Sequence, residues 1–402
     1  MNDRSPHSSW QSFVNNNNNN SRRPHQHKTQ IPNSTRDVSV PPLPSILTGD
    51  WNITGNASWL LDFAIIGFPK CGTSTLLFHL LEHHDQIQSF PDERCDLSYN
   101  RQAILIRDLY QQVQNVTNLY NQQQQQQQIQ QQPSSSSSLR STNPIIPHPF
   151  SIRRGIKCPL DLEGTSLAIP NYQRYFPHTR YVVGLRHPVL WFESFYNFRI
   201  HNEFPMPPAT TLIGNCGKGS FNVCTYRGNF HFFLANLGKT NMTSPQELAL
   251  FAPKLQRLHT KIKQELLTQQ AYPISQPLFL YDVSQLSDTD NDRALQFRTD
   301  LQTFLQLDRP IPPMIWYKPG IQHQDPQKMA AITARKINIC HSNYTTVRTI
   351  LQEQAMNASQ WIRNYLLVAP TDSVVVSSPD YFRNTILQSW ERDPCLDRIQ
   401  QQ

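Results

Sequence analysis

"DFAIIGFPKCGTSTLLFHLLEHH", residues 62–84, decides how this chain folds. The short apolar run "DFAIIG" reads as a buried strand, and it enters a loop bracketed by Gly67 and Gly72. Beyond the loop, Leu76, Leu77, Leu80 and Leu81 recur on one helical face, with Thr73 or Ser74 near the N-cap. A strand, a glycine loop and a helix in that order offer an anion backbone N–H groups and the positive end of a helix dipole. The loop Lys70, Cys71, Gly72, Thr73, Ser74 and Thr75 therefore suits a phosphate group. Gly67 and Gly72 have the spacing of a nucleoside-triphosphate loop, G-x-x-x-x-G-K-[ST], but Thr73 stands where that lysine belongs. The only lysine, Lys70, lies inside the loop.

Outward from this unit, strands and helices alternate. "RRGIKCP" (153–159), "RYVVGLRHP" (180–188) and "PLFLYDVSQL" (277–286) read as strands. "TSLAIPNYQRYFP" (165–177), "VLWFESFYNFRIH" (189–201), "RTDLQTFLQL" (298–307) and the stretch 345–366 read as helices. Alternation of this kind predicts an α/β fold, a P-loop-type parallel sheet flanked by helices on both faces. "RGNFHFFLANLG" (227–238) carries aromatics at helical spacing and reads as core.

Low-complexity sequence sets the limits. Residues 1–45, with "NNNNNN" at 15–20 and a proline-rich end, read as disordered. The segment 111–149 is Gln-, Ser- and Pro-rich, includes "QQQQQQQ" and "SSSSS", and reads as a structureless insertion extruded from a domain spanning 46–396. No run reaches ~18 apolar residues, so no transmembrane helix is expected, and the first forty residues lack the apolar core of a signal peptide.

The formal net charge of +7 suits an anionic partner or simple solubility. Zinc-finger spacing, RNP-like signatures and basic heptads are missing, so nucleic acid is not an expected partner. N-x-[ST] sequons, among them those at Asn33, Asn52, Asn56, Asn115, Asn241, Asn343 and Asn357, are compatible with a secretory lumen. The seven cysteines lack metal-site spacing. Cys216 with Cys224, and Cys340 with Cys395, are candidate pairs, although spacing alone does not fix connectivity.

"LRHPVLWFES" supplies a second anion signal. Arg186 ends a strand, where it can pair bidentately with a phosphate. Pro188 opens the next helix, which carries Ser194 eight residues after the arginine. Together the two motifs resemble the carbohydrate sulfotransferases of the secretory pathway, which use 3′-phosphoadenosine 5′-phosphosulfate (PAPS). "GFPKCGTSTL" looks like that family's 5′-phosphosulfate loop. "RHPVLWFES" matches its R-x-P-x-x-x-x-x-S motif for the 3′-phosphate at Arg186, Pro188 and Ser194. "IKCP" echoes its K-[ST]-P strand through Lys157, and "PDERCDL" echoes in part its Lys-Glu pair, with Asp92 before Glu93.

The resemblance covers approximately residues 60–310. The separation of Gly67 from Arg186 exceeds the family's habit unless the insertion is extruded. It implies in-line transfer of a sulfuryl group from PAPS to a hydroxyl or amine of an acceptor, expected to be a glycan, without an obligatory metal. Lys70 and Lys157 would stabilise the sulfonate and the departing phosphate. Glu93 would take the acceptor's proton, and Lys70 through Thr75 with Arg186 and Ser194 would hold the donor. A Golgi or other secretory location follows from the same resemblance. The chain departs from the family at His187, Trp191 and Asp92. His83 and His84, at the end of the first helix, are expected at the surface. The competing readings are a degenerate P-loop kinase, with Asp282 as the metal-binding strand-end acid, and a non-catalytic scaffold.

Overall fold

The computed structural model describes residues 39–130, 146–163, 167–235, 237, 274–315, 325–368 and 373–399. Six strands form one sheet in the order β2-β3-β1-β4-β5-β6, and every pairing is parallel. They are β1 (Phe63–Gly67), β2 (Ile87–Ser89), β3 (Arg153–Lys157), β4 (Arg180–Leu185), β5 (Leu278–Asp282) and β6 (Val374–Val376). The expected α/β class is therefore the observed one. The central strands are buried throughout except for Arg180 at the start of β4, as a sheet covered on both faces requires.

Alternate residues of each strand feed different cores. Phe63 and Ile65 of β1, Val182 of β4 and Phe279 of β5 pack with Leu76, Leu77 and Leu80 of α1 (Thr73–His83). Phe297, Leu301 and Phe304 of a later helix, Asn291–Leu305, complete that layer. Ala64, Ile66, Val183 and Leu280 face the other way, toward a larger core. That core includes Leu105, Ile106 and Leu109 of α2 (Gln102–Gln130), Ile169 and Tyr172 of α3 (Ala168–Tyr175), and Trp191 and Phe192 of α4 (Pro188–His201). Phe230, Phe232 and Phe233 of α5 (Phe230–Ala235) and Val347, Leu351 and Trp361 of the helix Thr345–Trp361 belong to it as well.

The low-complexity segment departs from expectation. Residues 111–130 continue α2 rather than forming a structureless loop. Leu109, Tyr110, Val113 and Thr117 are buried at helical spacing, so the amphipathic half nucleates the helix. Glutamine is a good helix former, and the homopolymer simply propagates what the apolar face has started. The Ile146 N–H donates to Gln123 Oε1 at 2.9 Å, and the rings of Tyr120 and His148 are 5.2 Å apart. The chain thus returns along α2; residues 131–145 lie outside the described residues. The N-terminal boundary also moves. Residues 39–45 are packed: Val40 and Leu43 lie on the core, and the Tyr110 hydroxyl donates to Pro41 O at 2.8 Å. The remainder of that expected disordered segment, 1–38, lies outside the description.

Val113→Asp separates the two readings of this segment. A carboxylate in place of a side chain 1 % exposed should cost about 3 kcal/mol or more and lower the melting temperature clearly. Gln125→Asp, on the exposed side, should leave the melting temperature unchanged. An extruded loop would tolerate both.

Candidate active site at the carboxyl edge of the sheet

In open parallel sheets, ligands bind beyond the carboxyl ends of the strands where the strand order reverses direction. Here β1 lies between β3 and β4, and the loop after β1 sits at that point. Its carbonyls are held from outside. Trp191 Nε1 donates to Pro69 O at 2.8 Å, the Tyr281 hydroxyl to Cys71 O at 3.1 Å, and Arg186 to Lys70 O at 3.4 Å. Because each peptide is planar and trans, fixing those carbonyls turns the N–H groups of Lys70 and Gly72 the opposite way, while the Cys71 N–H closes the loop on Phe68 O at 3.3 Å.

Lys70 and Gly72 both adopt positive φ, 66° and 78°. A Cβ at Gly72 would also come within 2.5 Å of Leu286, which is why glycine stands there. Gly184 on β4 admits the loop for a related reason: a Cβ there would lie 2.5 Å from Cys71 O. The first intrahelical bond of α1 is Leu76 N–H to Gly72 O, and the first turn holds no acidic residue. Its N–H groups and dipole are thus uncompensated by a carboxylate of that turn.

Two lysines and a glutamate converge on this helix start. Lys157, buried at the end of β3, donates to Ser74 Oγ at 2.8 Å and lies 3.4 Å from Glu93 Oε1. Glu93 is exposed, and its approach is fixed by its neighbours. The Arg94 N–H donates to Lys157 O at 2.9 Å, and a disulfide joins Cys95 to Cys158. The Arg94 guanidinium holds Asp96 at 2.8 Å and Asp108 of α2 at 2.9 Å, tying the glutamate loop to the long helix. Lys70 places its Nζ 4.0 Å from the centre of the Phe198 ring on α4. Burial, then the nearby Arg186, lowers its pKa to about 8.

The remaining expected residues fall into place unevenly. Arg186 is partly buried at the carboxyl end of β4, with Ser194 partly buried on α4. Cys71 is a buried free thiol whose pKa is raised by burial, and its backbone N–H donates to Phe68 O at 3.3 Å, so its part in the loop is structural. Thr73 and Thr75 are also buried. His187 caps α4, its side chain accepting from the Val189 N–H at 3.2 Å, and burial lowers its pKa to about 4. The departures at His187 and Trp191 are therefore structural: one caps α4, the other pins the loop. His84, expected at the surface, is buried, with Nε2 3.0 Å from Arg309 O.

Asp282 does not offer a free carboxylate. It caps the 3-10 turn Val283–Ser287, accepting from the Ser284 N–H at 2.9 Å and the Ser284 hydroxyl at 2.6 Å. Burial raises its pKa.

Sequence reasoning missed several residues. The Cys95–Cys158 bond was not among the expected pairs, whereas Cys216–Cys224 and Cys340–Cys395 are both formed. Arg227 and Glu163 make a buried ion pair, with Arg227 NH2 donating to Glu163 Oε1 at 2.7 Å. Arg199 stands among aromatic rings close by. The one available signal was the aromatic spacing of α4, which places Phe195, Phe198 and Arg199 on adjoining turns.

No protein-family model and no curated protein matches the chain. Among solved structures, it is similar to the sulfotransferase from Alicyclobacillus acidocaldarius, with 14% identity and a TM-score of 0.31 over 76% of this chain and 96% of that one. At that identity and score, the functional reading rests on the site itself.

Proposed function

We propose that this protein is a sulfotransferase that moves a sulfuryl group from PAPS to a hydroxyl or amine of a carbohydrate acceptor. The observation that carries the reading is the contact chain Ser74–Lys157–Glu93 at a helix start whose first turn has no acid, beside Lys70. An anion-binding helix terminus, cations for a leaving phosphate and a reachable carboxylate are what sulfuryl transfer needs. The residues present fit the donor. The turned N–H groups of the loop and the first turn of α1 would hold its 5′-phosphate, and Arg186 with Ser194 its 3′-phosphate.

The donor supplies an electrophilic sulfur on a phosphate leaving group. This chain's contribution is positioning and charge. Lys70 and Lys157 hold positive charge where negative charge develops on the departing oxygen. Glu93 accepts the proton that the acceptor oxygen or nitrogen gives up. Lys157, in contact with both Ser74 and Glu93, couples the donor side to the base.

The rival kinase reading needs a lysine after Gly72 and a free strand-end acid. Thr73 occupies the first position, and Asp282 is engaged as a cap. Location belongs to the same proposal. Three disulfides among the described residues fit an oxidising lumen, and Asn52, Asn56 and Asn343 are exposed sequons. No helix among the described residues is long and apolar enough to cross a membrane.

Calorimetry with 3′-phosphoadenosine 5′-phosphate (PAP) and with ATP tests the reading, followed by labelled-PAPS transfer to a glycan panel. PAP should bind and ATP should not; ATP alone binding would turn the assignment to the kinase, and neither binding to the scaffold. The proton balance is a second readout. Free Lys70 loses its proton near pH 8, and a bound phosphate would favour the charged form. PAP binding at pH 8 should therefore take up a fraction of a proton, read from buffers of different protonation enthalpy, and affinity should fall above pH 8. The unfolded chain keeps this proton up to about 10.5, so Lys70's contribution to stability rises between pH 8 and that value.

A further inference from the structure

A row of alternating rings and cations runs along one side of α4. Arg227 lies 5.0 Å from the centre of the Phe195 ring, and Arg199 lies 5.0 Å from the same ring. Arg199 is 5.9 Å from the Phe198 ring, on which Lys70 rests at 4.0 Å. Phe204 adds a third ring to Arg199, at 5.0 Å. The row thus runs from the ion-paired Arg227, through Arg199, to the loop lysine.

Its three cations differ in one respect. Arg227 has Glu163 as its counterion, and Lys70 belongs to the proposed donor site. Arg199 forms no ion pair among the described residues, where Glu93 attracts it only at longer range, and its Nε finds no hydrogen-bond acceptor there. Burial, followed by repulsion from Arg227, disfavours its charge, and attraction to Glu93 only partly offsets this. A cation in the last turn of a helix gains from the dipole, which accounts for a basic residue at this position. It does not account for three rings around a guanidinium that no described carboxylate pairs directly. Rings hold an arginine in place, and an ion held without its counterion favours an anionic ligand.

Space for that ligand adjoins the row. A cavity of about 560 Å3 is lined by Tyr99, Asn215, Asn222, Tyr226, Arg227 and Phe233. Phe233 packs 5.8 Å from Phe68, so this cavity abuts the loop after β1. Aromatic faces and amides around a neutralised ion pair suit the hydroxyls and ring faces of a sugar.

We infer that Arg199 receives a carboxylate of an acidic glycan acceptor, whose neighbouring sugar occupies the cavity ending at Arg227. A guanidinium and a carboxylate match as two planar, two-pronged groups, which makes Arg199 the residue that selects acidic over neutral glycans. The inference deepens the sulfotransferase reading by naming the acceptor's class.

The test uses a uronic-acid-bearing oligosaccharide and its carboxyl-reduced counterpart, titrated into the full chain without donor. The wild-type protein should bind the acidic form about tenfold or more tightly than the reduced one. Arg199→Gln should abolish that difference while leaving PAP affinity unchanged, and Arg199→Lys should restore most of it. In transfer assays, the loss in Arg199→Gln should appear in KM for the acidic acceptor, with kcat preserved. Equal wild-type binding of the two oligosaccharides, or an equal loss for both in a folded Arg199→Gln, overturns the inference. So does a fall in PAP affinity, which would put Arg199 on the donor. Discrimination through Arg199 in a protein that binds no PAP would support the glycan site and overturn the sulfotransferase reading alone.

Discussion

Glu93→Gln is expected to lower sulfuryl transfer by about 10² to 10⁴, the usual loss on removing a general base, while PAP affinity and melting temperature stay near wild type. Glutamine keeps the shape of the side chain and can still meet a donor, but it cannot take the acceptor's proton. Glu93 is exposed, and among the described residues it pairs with Lys157 alone, at 3.4 Å, so the fold does not depend on it. Asp92→Asn is the matched control, because Asp92 is exposed in the same loop. Asp96→Asn is a different experiment. Asp96 is buried and pairs with Arg94 at 2.8 Å, so its loss should loosen the loop and lower stability together with rate. Transfer measured on labelled PAPS at saturating acceptor decides the matter. A folded Glu93→Gln protein that transfers at the wild-type rate removes Glu93 from the chemistry, whatever else the site does.

Arg186→Ala is expected to weaken PAP binding by roughly 2 to 4 kcal/mol, as loss of a partly buried charge-assisted pair does. That corresponds to about 30- to 1,000-fold in affinity. The side chain leaves the carboxyl end of β4 and holds Lys70 O at 3.4 Å, so it faces the loop that would seat the donor. Arg186→Lys should recover only part of the loss, since an ammonium keeps the charge but not the two-pronged geometry. Lys70→Ala should fail differently, depressing turnover more than PAP affinity, because its charge is most needed as the leaving oxygen becomes negative. Calorimetric affinities for the three variants, set beside their turnover numbers, separate these roles. An unchanged PAP affinity in folded Arg186→Ala would remove the second anion motif from the donor site.

Much of this architecture was legible in short windows of sequence. The strand, glycine loop and helix of residues 62–84 are local features, set by a buried run, two glycines at fixed spacing and leucines on one face. β4 and β5 declared themselves as β-branched or apolar runs for the same reason; with β3, whose charged RRGIK made it a weaker strand candidate, they carried Lys157, Arg186 and Asp282 to one edge. The strands β2 and β6, three residues each, are too short for any period to register; only their pairing with β3 and β5 makes them strands. The glutamine run has no period either, and its helical state depends on the apolar face that precedes it and on the core beneath.

At the site, motif and spacing named the residues but not their relations. That Lys157 touches Ser74 across 83 positions, or that Cys95 closes on Cys158 across 63, is written in no local pattern. The same holds for Asp282, whose sequence position suits a metal-binding acid but whose carboxylate is spent on a cap. Arg199 is the clearest case: that it forms no ion pair among the described residues is a property of everything packed around α4. Periodicity and backbone conformation act over a few residues, and the sequence by itself therefore determined the longer elements and the candidate donor loop. Burial, ion pairing and the proximity of charges depend on contacts between segments far apart in the chain, and those only the tertiary structure decided.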